Sequence, residues 1–136
     1  MFTKILVAVD PSHIAQGDLA LNAARRLAHD SYAEITALAV LEPAPAHLTP
    51  VLAHEAKVEA ADRTATALRQ QIGEGSEIRV FVRHGRAAHE IIEHARENAV
   101  DCIIVASHQP GLSDYFLGST AARVVRHAPC SVVVLR

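Results

Sequence analysis

The sequence predicts an α/β fold: a doubly wound, five-stranded parallel sheet in strand order 3-2-1-4-5, with helices on both faces. Three observations carry this prediction. Short apolar, β-branched runs at residues 4–9, 34–41, 101–106 and 131–135 have no polar alternation, as strands buried on both faces require. Segments of helical periodicity separate them, so each connection is long enough for a right-handed crossover to a parallel neighbour. One further run, 77–83, alternates polar and apolar residues, the pattern of a half-exposed edge strand. Order 3-2-1-4-5 makes that strand an edge and places the switch point between the first and fourth strands.

Taken in order, the first strand ends at Asp10-Pro11-Ser12, where proline stops the ladder. Ser12 is a candidate cap for a helix beginning near His13 or Ile14 and running to about His29, with Leu19, Ala23 and Leu27 and the adjacent Ala20, Ala24 and Ala28 marking its apolar face. The second strand closes at Glu42-Pro43-Ala44-Pro45, a loop at the carboxyl edge. A long helix spans about 50–72 through Ala61, Ala65, Leu68 and Ile72, with Arg63 and its charged neighbours on the wet side, and Gly73-Glu74-Gly75 ends it. The edge strand follows, then a helix over 86–99 through Ala88, Ile91, Ile92, Ala95 and Ala99. The fourth strand ends at Ala106, a polar loop runs from Ser107 to about Phe116, and Gly118-Ser119-Thr120 opens a short helix before the last strand.

Composition narrows the functional classes. A chain of 136 residues, 50% of them hydrophobic, fits one domain spanning 1–136 with a sizeable core. A net charge of −2, with both signs interspersed, gives no field suited to nucleic acid or an acidic membrane surface. No basic leader precedes a long apolar run, and the apolar stretches are too short to span a bilayer, so a soluble cytoplasmic protein is expected. Cys102 and Cys130 each open a strand and read as reduced, small hydrophobes; on neighbouring strands their thiols would lie close together. The nine histidines include no set at metal-ligand spacing, and no serine lies in a nucleophile-elbow pattern.

Neither a P-loop nor a G-x-G-x-x-G follows the first strand, so a phosphate site rests on Gly118-Ser119-Thr120. Glycine admits close backbone approach, and the hydroxyls stand beside the unpaired amides of a helix start. The same tripeptide also suits an ordinary helix cap. Asp10 could take a ribose hydroxyl, orient a metal-bound water, or cap the first helix together with Ser12. His108 lies in the loop facing the crevice. The apolar strand 131–135, at the other edge in this order, is expected to pair antiparallel with a second copy and so give a homodimer, the alternative being cover by its own flanking helix.

Three stretches carry a family resemblance: KILVAVD at 4–10, VRHGRAAHEIIEHARENAVDCIIVAS at 82–107 and FLGSTAARVVRHAPCSVVVLR at 116–136. They resemble the universal stress protein family over the whole chain, the last stretch most specifically. The resemblance implies an adenine-nucleotide site, for ATP with or without magnesium, in a stress-response or regulatory protein. Gly118 and Ser119 match the family's closing G-[ST], with Thr120 supplying the next amide. Asp10 matches the acidic residue near ribose and phosphates, followed by Pro11 and Ser12, and Val40 matches the position whose backbone meets adenine. The family's opening G-x-x-G is absent: Ala106 replaces the first glycine, Gln109 stands near the second, and the loop is one residue shorter. The sequence is similar to a branch with S-x-x-P here, Ser107-His108-Gln109-Pro110, followed by Gly111, for which nucleotide binding is also implied. A Cβ at Ala106 would crowd a ligand packed on the backbone, and Pro110 removes an amide donor. The alternatives are a nucleotide-independent dimeric interaction module and a slow ATP hydrolase. The sequence offers no P-loop lysine, catalytic-loop Asp with metal-binding Asn, or obvious arginine finger for the latter.

Overall fold

The computed structural model describes residues 1–43, 46–107 and 117–136. Its strands are β1 (Lys4–Ala8), β2 (Glu34–Leu41), β3 (Arg79–His84), β4 (Cys102–Ala106) and β5 (Ser131–Leu135). They form one sheet in the order β3-β2-β1-β4-β5, and every pairing is parallel, as predicted. The helices are α1 (Asp18–Ala28), α2 (Pro50–Ile72), α3 (Ala87–Glu97) and α4 (Ser119–His127).

Helices on both faces explain why the central strands read as unbroken apolar runs. Ile5 and Val7 of β1 point into one core, against Leu21 and Ala24 of α1 and Leu68 of α2. Leu6 points the other way, into a second core with Leu38, Ile91 and Ala95 of α3, and Ala121 and Val124 of α4. Full burial of each such Leu or Ile contributes roughly 1.5–3 kcal/mol relative to exposure.

The first helix departs from expectation. A 3-10 turn at Ile14–Gly17 precedes α1, and no side chain caps either start. Ser12 is not a cap; its backbone amide instead donates to Asp10 Oδ1 at 2.9 Å, while Asp10 Oδ2 lies 3.2 Å from His13 Nδ1. The aspartate therefore organises its own turn. The buried face of α1 is Ala20, Leu21, Ala24 and Ala28; Leu19 and Leu27 are exposed. Elsewhere α2 starts behind Thr49, whose hydroxyl accepts from the Leu52 amide at 3.3 Å, with Pro50 in the first turn. The loop prolines are only partly within the described residues, since 44–45 lie outside them.

Cys102 begins β4 and Cys130 immediately precedes the neighbouring β5, and the two side chains pack against different cores. Cys102 is buried in the core beneath α1 and α2, while Cys130 packs against the core beneath α3 and α4. Burial pushes the Cys102 thiol up to about 11, which keeps it protonated and unreactive.

The two sheet edges are built differently. On β3, Arg83 turns toward α3, its Nε donating to Glu90 Oε2 at 2.8 Å and its Nη1 to Glu97 Oε2 at 3.0 Å. His94 is buried behind this pair, its ring 5.2 Å from that of Phe81. Gly85 makes the arrangement possible: its φ is +144°, and a Cβ there would stand 2.9 Å from Glu90 Cγ. On β5, Val132 to Leu135 are all half-buried, without comparable charged cover on the strand itself.

Candidate functional site

β1 and β4 are neighbours, but the chain leaves them toward opposite faces: α1 belongs to the first core and α4 to the second. The divergence opens a cavity of about 740 Å³ at the carboxyl ends of the strands. That volume is in the range of small-molecule sites. Asp10, Pro11 and Ser12 line it from the end of β1, Val40 from β2, Ala106 and Ser107 from β4, and Gly118, Ser119 and Thr120 from the start of α4. Every predicted site residue that is described thus borders one space. His108, Gln109, Pro110 and Gly111 lie outside the described residues.

The start of α4 has the chemistry of an anion seat. The first helical backbone bond runs from the Ala122 amide to the Gly118 carbonyl at 2.8 Å, so the amides of Ser119, Thr120 and Ala121 have no acceptor within the helix. Among the described residues, no side chain caps this end. Gly118 has φ −56°, and among the described residues a Cβ there would meet nothing nearer than Ser107 Oγ at 3.8 Å. Neither that backbone conformation nor the described neighbours demand glycine at the position.

Ser107 ties the site together. Its hydroxyl oxygen accepts from the Gly118 amide at 2.9 Å, and its own amide donates to the Leu135 carbonyl at 2.8 Å. The Asp10 carboxylate is largely exposed and keeps acceptor capacity beyond its contacts with Ser12 and His13. Among the described residues, no group of three or more His, Cys, Asp or Glu could hold a metal ion.

The cavity also has walls that the sequence analysis left out. Glu42 follows Val40 at the end of β2, Ile91 rises from α3, and Ala60, Arg63 and Thr64 face it from α2. The sequence pattern puts Arg63 on the solvated side of its helix. It is indeed mostly exposed, with Nη1 3.9 Å from Glu59 Oε2 one turn away. The available signal was length: 23 residues at about 1.5 Å each outreach an eight-residue strand packed alongside at an angle, so part of α2 must overhang the carboxyl edge.

A sequence model described as the universal stress protein family matches residues 1–136. The chain belongs to the universal stress protein family. It is 31% identical to universal stress protein YxiE of Bacillus subtilis (strain 168), covering all of both chains. Among solved structures it resembles universal stress protein UspA from Lactobacillus plantarum, with TM-score 0.77 and 28% identity, covering 98% of this chain and 97% of that one. It also shares its fold with a universal stress protein solved in complex with cAMP, at TM-score 0.63 and 24% identity over 99% of this chain and 97% of the other. Among the described residues, no helix is long and apolar enough to cross a membrane.

Proposed function

We propose that the chain binds an adenine nucleotide, ATP, in the cavity above β1 and β4, and acts in the stress response as a cytoplasmic homodimer joined through strand 131–135. The carrying observation is the start of α4. Amides without a helical acceptor, two hydroxyl residues and a glycine that the fold does not require all border one cavity with Asp10 and Val40. Such a helix start accommodates phosphate, the apolar wall of Leu38 and Val40 suits a base, and the free acceptor sites of Asp10 suit a ribose hydroxyl or a magnesium-bound water. The cAMP complex of a protein with this fold adds support for an adenine nucleotide as ligand.

The rival is a nucleotide-independent dimeric module. It draws on the internal partners already held by the Asp10 carboxylate and the Gly118 amide.

Mass spectrometry of small molecules released from natively purified protein separates the two readings. Adenine nucleotide in the released fraction, with ATP binding by calorimetry, is the expected result. An empty fraction, with no heat from ATP and magnesium at millimolar ligand, refutes the first reading. Gly118→Ala should retain its melting temperature to within a few degrees while losing nucleotide affinity, because only a ligand would meet the added methyl.

A further inference from the structure

Resting on that nucleotide reading, we propose that Arg63 of α2 covers the base end of the ligand, its guanidinium laid over the face of the purine. Position comes first. β2 and β4 flank β1, so at about 4.8 Å per strand their ends are about 10 Å apart. α2 covers β2 and β3 on one face, while α4 belongs to the opposite face beside α3 and β5. A ligand with its phosphates on the amides of Ser119 and Thr120 therefore crosses β1 and places its base toward β2 and α2. Arg63 borders that end, far from the anion seat.

The chemistry of this end suits a planar, polarisable group. Leu38 and Val40, on the α3 and α4 side of the sheet, provide an apolar wall, and Ala60 on α2 takes little room on the other side. Arg63 and Thr64 supply donors beside it. Arg63 is the one cation bordering the cavity among the described residues, and its tether to Glu59 is long and solvent-exposed. Such a pair contributes little, so the side chain can leave it at small cost. A guanidinium is flat and weakly hydrated, which favours stacking on an aromatic face where an ammonium would stay in water.

Calorimetric titration of the parent, Arg63→Ala and Arg63→Lys with ATP, AMP and adenosine tests this assignment. Arg63→Ala should weaken all three ligands by a similar factor, about five- to tenfold, and Arg63→Lys should recover only part of the loss. The unliganded variants should melt with the parent, since Arg63 is largely exposed. A loss that grows with phosphate number would make Arg63 a phosphate contact and overturn the proposal. Unchanged affinities for all three ligands would overturn it while leaving the nucleotide site intact. A parent protein that binds none of the three removes the nucleotide reading, and this inference with it.

Discussion

The two edges of the sheet solve the same problem in opposite ways. Among the described residues, β3 and β5 each have a strand partner on one side only. On β3, Arg83 is drawn down onto Glu90 and Glu97, and Arg79 reaches Glu34 at 3.5 Å, so charge guards the rim. On β5 the sequence is Ser-Val-Val-Val-Leu, half-buried, with apolar residues along the rim. Inward-turned charge discourages strand addition, whereas a bare apolar edge invites it. The difference shows where a second copy would add.

The largest effect is expected from Val133→Lys. An uncompensated ammonium in a paired edge costs on the order of 3–5 kcal/mol. On the proposed dimer, the variant should run as a monomer by light scattering where the parent is expected to pair, and Phe81→Lys on β3 should not. The reverse outcome would exchange the roles of the two edges.

Next comes Glu90→Gln. It leaves the partly buried Arg83 with weaker compensation beneath β3, at a cost of about 1–3 kcal/mol, read from urea midpoints. No loss would mean that the charged rim guards the edge without holding it.

A smaller effect involves His94. Burial first, and the charge of Arg83 second, hold its pKa below the ordinary 6.5, with Glu97 opposing. The folded state therefore resists a proton that the unfolded chain accepts. Stability from this residue is intact above about pH 6.5 and declines as the pH falls through that value toward the folded pKa. His94→Phe should flatten this part of the stability-against-pH curve, and an unchanged slope would exclude His94 as its source.

Glu97→Gln should do least. Its pKa is lowered chiefly by the hydrogen bond from Arg83, but the side chain is largely exposed, so the urea midpoint should stay within error of the parent. A loss rivalling that of Glu90→Gln would show that both carboxylates hold the rim equally.

Much of the architecture was legible because its signals were redundant. α2 begins behind a capping Thr and ends at Gly73, β2 closes just ahead of Pro43, and strand alternation with helices left little choice of topology. The first helix was misread because it is rich in alanine. Leu19, Ala23 and Leu27 form one stripe, and Ala20, Ala24 and Ala28 form another one position away. Periodicity cannot choose between neighbouring stripes of similar apolarity; packing under the sheet chose the second, with Leu21. Residues that border the cavity were legible at strand ends and at the helix start, where sequence position fixes height above the sheet. Arg63 and Thr64 were not, because a helix residue's height depends on how far α2 overhangs, a tertiary quantity. The two cysteines are near enough that the charge of Cys130 adds to burial in raising the Cys102 pKa, but Cys130 stands one residue ahead of β5 and the two side chains pack against different cores.

Ser107 gives the chain freedom to vary. By holding Gly118 through its hydroxyl and Leu135 through its amide, it fixes both ends of the segment that separates β4 from α4. Once those ends are fixed, doubling the length between them costs only about 0.6 kcal/mol in closure entropy. A shortened or rewritten loop, such as one lacking the family's opening glycines, can therefore be exchanged without disturbing the sheet, making this segment a place where ligand preference can diversify while the scaffold is inherited unchanged.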